Sequence, residues 1–316
     1  MAIYLDQIGH QVTLQCYLQS EYDHLKKTGF APNLPNFKCS EKIQFEKELN
    51  DSHKNAEVLV ISTPVAFLRG VLSKIEGLSK ETVIVTINKG IERESMKTVP
   101  EIIKEYFPDQ PVAHLGGPCF PEGLLSEKTP AAETLACEDR EVGVKLQSMF
   151  ASEGFRVYLS TDLLGVAMMG ALKNVYAIAA GIAEGIGLYE EVTAVLVTRG
   201  LAEMKRICLA LGVSVETLYG LSGLGDLALT CYSPKSSHNK TFGLRLGKGE
   251  SVKTILDNMH GQVAEGYYTT KAVWDLSQKH EIDLPLCQMI YQVLYEEMPL
   301  KQAIKSLMNR PLKLED

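Results

Sequence analysis

The chain has 316 residues, 45% of them apolar, and is long enough to form two domains with sizeable cores. Its 32 Lys and Arg against 39 Asp and Glu give a net charge of −7, which is unfavourable for a nucleic-acid or anionic-membrane partner. Seven scattered cysteines without a C-x-x-C pair argue against a disulfide framework or a zinc site and fit a reducing cytoplasm. A small anionic substrate would therefore need a local basic site.

The N-terminal segment has neither the basic nor the apolar region of a signal peptide, and we expect none. Met1–Ile8 is instead typical of the end of a helix. Gly9 and His10 would cap that helix and lead into a strand at Val12.

Short runs rich in Val, Ile and Thr alternate with helical patterns through residues 1–161. This alternation predicts an α/β fold: a doubly wound, Rossmann-like parallel sheet with helices on both faces. The predicted strands are Val12–Leu14, Glu57–Ser62, Thr82–Ile87, Val112–Leu115 and Thr134–Cys137, with helices such as Ala66–Ile75 and Val99–Tyr106 between them.

The beginning of this fold is incomplete in the sequence. A doubly wound nucleotide-binding sheet ordinarily opens with a strand, a G-x-G-x-x-G turn and a helix whose N-terminus takes the pyrophosphate. No G-x-G-x-x-G occurs here, and the strand at Val12 matches the second strand of such a fold. Two explanations stay open. The recorded start lies about 20 residues downstream of the true one, the length of a strand, a turn and most of a helix, or the chain binds no nucleotide.

Strand patterns nearly vanish in residues 162–316, which predicts an all-helical second domain. One helix should begin near Pro285, because proline suits the first helical turn. The longest apolar stretch, Gly165–Ala183, is interrupted by Lys173, and a central lysine costs about 2.5–3.5 kcal/mol on membrane insertion, so we expect no membrane span. The predicted helices are Gly165–Ile186, Thr193–Leu211, Ser251–Met259, Thr269–Lys279, Leu286–Glu296 and Leu300–Met308.

The helix at Gly165–Ile186 is apolar nearly all round, yet Lys173 and Asn174 lie at its middle. Burying an ammonium is costly and lowers its pKa, which is how a lysine becomes a usable acid or base near neutral pH. The alternative is a lysine whose head reaches solvent at a domain boundary. Periodicity alone does not decide between the two.

Two loops follow predicted strands, and the carboxyl ends of such strands line the ligand crevice of a doubly wound fold. Lys89, before Gly90, could hold an anion or donate to a substrate oxygen, or belong to a surface turn. The Gly116–Pro118 turn offers backbone N–H groups to a phosphate or an amide. Cys119 beside it is more typical of an inert thiol, since no Cys–His pair is evident.

Two further segments carry candidate groups in the helical half. Glycines are dense before Asp226 in Leu218–Cys231, which predicts backbone pressed against a ligand. Asp226 could orient a lysine or cap a helix. Ser233–Gly243 combines hydroxyl, amide and cationic groups at a helix start, which suits a phosphate but also a solvated loop.

In this order the segments resemble the bacterial-type NAD(P)-dependent glycerol-3-phosphate dehydrogenases, from about Met1 to Arg310. The resemblance implies reversible hydride transfer between NAD or NADP and the C2 carbon of glycerol 3-phosphate, giving dihydroxyacetone phosphate, in the cytoplasm and in the service of phospholipid synthesis. Residues 1–161 would bind the dinucleotide, and residues 162–316 the substrate. The most specific segments are Gly170–Ile182, Thr198–Met204 and Gly220–Cys231, followed by Ala264–Gly266 at the expected place.

The resemblance also assigns roles to residues. It implies Lys173 as the catalytic acid/base at the carbonyl oxygen and Lys89 as a second lysine at the substrate. Asp226 would orient the two lysines, with Thr230 one helical turn further on. The remaining implied contacts are Gly117, Cys119, Ser237, His238 and Asn239 for the substrate and Pro121, His238, Val263 and Glu265 for the cofactor.

The sequence departs from the family at several of these positions. His238 stands where the family has Arg, and a neutral imidazole cannot make a guanidinium's bidentate phosphate contact; Lys235 and Lys240 are candidate replacements. Cys119 replaces Ser or Thr, and Pro121 replaces Ala. The strand end at Leu14–Tyr17 has neither an acid nor an Arg for the ribose, so NAD and NADP both stay open.

Two rival functions are carried forward. One is a dehydrogenase of the same two-domain plan acting on a 3-hydroxyacyl or 6-phosphogluconate substrate, against which the Gly-Asp segment at Gly223–Cys231 argues. The other is a truncated or non-catalytic metabolite-binding relic, which the missing glycine turn supports. We expect a small-molecule substrate and no resident metal, and the sequence leaves a homodimer open.

Overall fold

The computed structural model divides into two compact units. The first unit comprises Met1–Thr63, Phe67–Ile87 and Ile103–Leu163; the second comprises Pro64–Ala66, Asn88–Ile102 and Leu164–Asp316. Two short segments from the first half of the chain, one of them carrying Lys89, therefore belong to the second unit. The residues described are 1–16, 18–32, 34–48, 51–126, 129–233, 237–259, 264–312 and 314–315.

Helices and strands alternate through the first half, as the sequence predicts. In chain order the elements are α1 (Ala2–Gln7), β1 (Thr13–Gln15), α2 (Gln19–Thr28), β2 (Gln44–Glu46), β3 (Val58–Ile61), α3 (Val65–Leu72), β4 (Val83–Thr86), α4 (Val99–Tyr106), β5 (Val112–Gly116), α5 (Pro121–Leu124), β6 (Ala131–Cys137), α6 (Arg140–Phe150) and β7 (Phe155–Ser160).

The strands described form two sheets. β1 pairs with β2, and β3, β4, β5, β6 and β7 form a second sheet in that order. β3, β4 and β5 are mutually parallel, whereas β6 runs antiparallel to β5 and parallel to β7. In the described part of the chain no strand joins β1 to β3. The α/β class is confirmed. The parallel direction does not extend to β6 and β7, because the described residues between β5 and β6 form only the four-residue α5 in place of a crossover helix.

Among the elements of this unit that were not predicted, β2, β7 and α6 differ in the signal that the sequence carries. β2 is three residues long with one apolar side chain, too short for a pattern. β7 does alternate, with Phe155 and Val157 buried between exposed neighbours, which is a readable strand signal. α6 begins where Asp139 Oδ1 accepts the backbone N–H groups of Glu141 and Val142, at 2.9 and 3.1 Å, which is an ordinary helix cap.

The second unit contains helices and no strand among the described residues. α14 begins at Pro285, as predicted. The helices at Val215–Tyr219 and Asp226–Tyr232 and the π-helical turn at Leu221–Gly225 were not predicted, because five to seven residues are too few to show a helical period. The helices are α7 (Leu163–Gly185), α8 (Glu190–Leu211), α9 (Val215–Tyr219), α10 (Asp226–Tyr232), α11 (His238–Gly247), α12 (Val252–Asp257), α13 (Glu265–Lys279), α14 (Pro285–Tyr295) and α15 (Leu300–Met308).

α7 is the central helix of this unit, and almost all of its residues are buried. Among the described helices it alone is long and apolar enough to cross a membrane, but its burial inside the protein is that of a core helix. α7 meets α11 backbone to backbone: a Cβ added at Gly181 would lie 2.0 Å from the Lys240 carbonyl oxygen, and one at Gly243 would lie 2.1 Å from that of Ile178. Only glycine permits this approach.

Candidate active site

Lys173 lies at the middle of α7 and is 4% exposed. Its Nζ donates to Asp226 Oδ1 at 2.5 Å and to Thr230 Oγ1 at 2.7 Å. The ammonium is therefore paired inside the protein, and the alternative of a lysine whose head reaches solvent does not hold.

Lys89 completes this cluster from the loop after β4. Its Nζ donates to the second carboxylate oxygen of Asp226, Oδ2, at 2.8 Å. Asp226 thus accepts one ammonium on each oxygen, and two cations share one carboxylate. The cluster carries a net positive charge and suits an anionic substrate or a developing alkoxide.

The backbone before α10 places Asp226. The π-helical turn at Leu221–Gly225 leads directly into this residue, and such turns occur often at functional sites. The dense glycines predicted contact with a ligand, but a Cβ at Gly223 would lie 2.1 Å from the Leu218 carbonyl oxygen. Gly223 is therefore required by the chain's own backbone. Thr230 lies one turn after Asp226 and donates to its backbone carbonyl at 2.6 Å, so its oxygen can accept from Lys173.

Burial controls the electrostatics of the cluster. It lowers the pKa of Lys173 to about 8; the Asp226 carboxylate opposes this effect, and the Lys89 ammonium adds to it. A lysine in this range exchanges protons near neutral pH. Burial also raises the pKa of the neighbouring Cys231 thiol to about 12, so that thiol is inert.

The start of α11 carries the predicted phosphate residues. Ser237 caps the helix by accepting the backbone N–H of Lys240 at 3.2 Å, and His238, the first helical residue, is exposed. Asn239 is buried, and its Oδ1 accepts the Gly266 N–H at 2.8 Å. Of the two lysines considered as replacements for the family arginine, Lys240 forms an ion pair with Glu184 at 2.9 Å, and Lys235 lies outside the described residues.

Glu265, a predicted cofactor contact, is the first residue of α13. Its Oε1 accepts the Val65 N–H at 3.3 Å, and its Oε2 would lie 3.0 Å from a Cβ added at Gly90. Burial raises the pKa of Glu265 to about 7. Val263, the other predicted contact before α13, lies outside the described residues.

The remaining predicted residues belong to the first unit and follow β5. A Cβ at Gly117 would lie 2.9 Å from the Glu133 Cα, so glycine is required there by close approach to β6. The Cys119 N–H donates to the Gly117 carbonyl at 2.9 Å and closes a tight turn. Pro121 is the exposed first residue of α5.

Sequence reasoning missed one buried carboxylate in the second unit. Glu203 of α8 is 2% exposed and accepts the backbone N–H groups of Leu286 and Cys287 at 2.5 and 3.0 Å, at the start of α14. It also accepts the hydroxyl of Tyr176 of α7 at 3.3 Å. Burial raises the pKa of Glu203 to about 7. An acid among the buried positions of α8, next to Met204, was the available signal.

Comparison with known families gives two matches. Residues 1–143 match the model of the NAD-dependent glycerol-3-phosphate dehydrogenase N-terminus, and residues 162–305 match that of the C-terminus. The chain belongs to the NAD-dependent glycerol-3-phosphate dehydrogenase family. This confirms the resemblance predicted from the sequence.

Individual relatives agree with this family. Glycerol-3-phosphate dehydrogenase [NAD(P)+] of Syntrophotalea carbinolica is 38% identical, and that of Citrifermentans bemidjiense is 36% identical; each alignment covers 100% of this chain and 95% of the relative. The crystal structure of glycerol-3-phosphate dehydrogenase from Coxiella burnetii has a TM-score of 0.91 and 32% identity over 98% of this chain and 94% of that one. These matches favour the dehydrogenase family over a non-catalytic relic.

The first unit has one feature that suits a nicotinamide nucleotide. β3, β4 and β5 are parallel, so their carboxyl ends share the edge of the sheet where doubly wound folds bind nucleotides. The turn at Gly117 follows β5 at that edge. The G-x-G-x-x-G cradle for the pyrophosphate does not occur in the sequence.

Proposed function

We propose that the protein catalyses reversible hydride transfer between NAD(P)H and dihydroxyacetone phosphate, giving sn-glycerol 3-phosphate. The observation that carries this proposal is the buried cluster in which Asp226 binds Lys173 and Lys89 on separate oxygens, at 2.5 and 2.8 Å. Family membership supports the substrate and the cofactor.

The chain's own residues handle the proton and the charge. When bound, the nicotinamide supplies or accepts the hydride. Lys173 donates a proton to the C2 oxygen as the carbonyl is reduced, and in the reverse direction it accepts the proton of the hydroxyl; its lowered pKa permits both. Lys89 stabilises the developing alkoxide, and Asp226 fixes the two ammonium groups before reaction, so little reorganisation is needed.

The start of α11 is proposed to hold the phosphate. A helix N-terminus presents backbone N–H groups and a positive dipole end to an anion. His238 is exposed there, whereas the Oδ1 of Asn239 is already occupied by Gly266. We assign His238 and the capped first turn to the phosphate, and Glu265 and Val263 to the cofactor.

The test is oxidation of NADH and of NADPH, each followed by the loss of absorbance of the reduced nicotinamide, with dihydroxyacetone phosphate as substrate. Dihydroxyacetone, which lacks the phosphate, is the matched control substrate. We expect turnover with dihydroxyacetone phosphate and a much lower kcat/KM with dihydroxyacetone. Equal rates with the two would remove the phosphate from the proposal, and no oxidation with either would remove the reaction.

We also propose which part of the chain binds each ligand, the metabolic role of the enzyme, its location and its assembly. Residues 1–161 serve mainly the dinucleotide and residues 162–316 mainly the substrate, with Lys89, Val263 and Glu265 as exceptions. The enzyme supplies glycerol 3-phosphate for phospholipid synthesis in the cytoplasm. A homodimer is proposed because α8 and the residue before it carry exposed apolar side chains, with Tyr189 85% and Leu209 65% exposed. Sedimentation velocity checks this: a monomer at micromolar concentration would contradict the dimer.

A further inference from the structure

Lys89 stands in a loop, and its position depends on contacts from outside that loop. The segment from Asn88 to Gly90 lies between β4 and α4 and has no regular secondary structure. A lysine side chain has four rotatable bonds, so an ammonium placed by such a loop is poorly ordered unless the backbone is also held. The structure shows what holds it.

Three residues of α7, at positions i, i+3 and i+4 of one helix face, lie next to this lysine. The stem of Lys89 crosses Gly170, where an added Cβ would lie 3.4 Å from its Cγ. The Nδ2 of Asn174, one turn later, donates to the backbone carbonyl oxygen of Lys89 at 3.0 Å. Lys173, between them on the same face, binds the carboxylate of Asp226 that receives the Lys89 ammonium. One helix face thus places both lysines.

Asn174 is itself fixed. It is 4% exposed, and a Cβ at Gly266 would lie 2.6 Å from the Asn174 carbonyl oxygen, so α13 packs tightly on this residue. The Gly266 N–H in turn binds Asn239 Oδ1 at 2.8 Å. The amide that holds Lys89 is therefore anchored between α7, α11 and α13.

We infer that Asn174 is a positioning residue, which orders the Lys89 backbone and so keeps the Lys89 ammonium on Asp226. Its amide holds the main chain at one end of Lys89, and Asp226 holds the ammonium at the other. Without the amide donor the Lys89 carbonyl loses this hydrogen bond, and the loop gains freedom while Lys173 stays on its helix. The kinetic part of this inference rests on the proposed function; the structural part does not.

The first experiment measures the order of Lys89 without turnover. Competitive acetylation with mass spectrometry gives the labelling rate of each lysine in the wild type, Asn174→Ala and Asn174→Leu. The leucine has the same branching of heavy atoms as asparagine but lacks the donor. We expect Lys89 to label several-fold faster in both variants and Lys173 to stay protected. An unchanged Lys89 rate in both would overturn the inference.

Gln147→Ala is the matched control. It removes an amide-to-carbonyl hydrogen bond of the same kind, from Gln147 Nε2 to the Val157 oxygen at 2.8 Å, in the first unit. We expect a comparable loss in the unfolding midpoint and no change in Lys89 labelling. Faster Lys89 labelling in this control would show that general destabilisation, not Asn174, exposes the lysine.

The second experiment is a double-mutant cycle on kcat/KM for dihydroxyacetone phosphate. In the otherwise wild-type protein, Asn174→Ala should lower kcat/KM. In the Lys89→Ala variant the same substitution should lower kcat/KM no further, because a residue that acts through Lys89 loses its effect when the Lys89 side chain is absent. Additive losses would overturn the inference. If no variant or wild type turns over, the proposed function fails while the labelling result still decides the role of Asn174.

Discussion

Two buried polar groups on adjacent helices are satisfied in opposite ways. Lys173 donates to a carboxylate and a hydroxyl, and it shares that carboxylate with a second lysine. Glu203 meets two backbone N–H groups and the Tyr176 hydroxyl, so peptide dipoles satisfy it. Tyr176 lies one turn after Lys173 on α7, so a single helix serves both arrangements.

This difference favours a catalytic role for Lys173 and a structural role for Glu203. Burial moves the pKa of Lys173 down to about 8 and that of Glu203 up to about 7, so both groups titrate near neutrality. Lys173 shares the Asp226 carboxylate with a second ammonium, whereas the hydrogen bonds of Glu203 go to backbone N–H groups and a hydroxyl. A shifted pKa alone therefore does not mark a catalytic group; the kind of partner does.

The largest expected effect tests the chemical side of this comparison. Lys173→Ala should lower kcat for dihydroxyacetone phosphate reduction by about 10²–10⁴-fold, the usual contribution of a general acid. The fold should survive, because Asp226 keeps Lys89 as a partner. Steady-state kinetics with circular dichroism checks both points. Near-wild-type turnover in a folded variant would break the assignment.

The architectural side is tested at Glu203. Glu203→Ala leaves two buried N–H groups without an acceptor, at about 1–3 kcal/mol each, and should lower the free energy of unfolding by several kcal/mol. The kcat of the folded fraction should change little. Asp109→Ala, which removes an exposed ion pair with Lys80, is the control and should leave the unfolding midpoint unchanged. A Glu203 variant with normal stability and lost turnover would reverse the roles.

The two groups also predict opposite pH dependence of stability. The folded state holds the Glu203 proton up to about pH 7, but the unfolded state only to about 4.5, so this group's contribution to stability falls as pH rises through that range. Lys173 loses its proton at about pH 8 when folded and at about 10.5 when unfolded, so its contribution rises there. Urea denaturation at a series of pH values measures the free energy of unfolding. Glu203→Gln should reduce its fall between about pH 4.5 and 7 and leave its rise above about pH 8 unchanged. An unchanged fall would contradict the effect of burial on Glu203.

Activity should follow Lys173 alone. Dihydroxyacetone phosphate reduction needs the protonated amine, and its kcat/KM should fall as pH rises through about 8; glycerol 3-phosphate oxidation needs the neutral amine and should rise there. Glu203→Gln should leave both profiles in place. A shift of either pH profile in Glu203→Gln would mean that Glu203 affects the titration of Lys173.

The smallest effect is expected at the start of α11. His238→Arg gives the exposed helix start a guanidinium and should lower KM for dihydroxyacetone phosphate several-fold, with kcat unchanged. The KM of dihydroxyacetone, which has no phosphate, should stay constant. An unchanged KM for both substrates would mean that another group holds the phosphate.

The sequence predicted the helices and the charges better than their partners. Lys173 could be singled out because a cation interrupts an apolar helix, and the alternation of strands predicted the α/β half. The pairing of Asp226 with both lysines is a contact over 137 and 53 positions of chain, which no local pattern encodes. The resemblance to a family, and not periodicity, joined these residues.

Other features were hidden for definite physical reasons. Glu203 lies within the Thr198–Met204 segment, and no local pattern shows that two N–H groups of α14 will donate to it. The reversed direction of β6 depends on a loop, since a strand's pattern is the same in either direction. The residues assigned to catalysis and to substrate and cofactor contacts, in both units, stay predictions.

The order of elements along the chain has a consequence for synthesis. α7 packs against Gly200, Asp226, Gly243 and Gly266, every one of which is translated after it. As the polypeptide leaves the ribosome, this long apolar segment therefore precedes all of these covering surfaces. It should be the main target of chaperones that shield nascent chains, and the main source of aggregation when translation stops early.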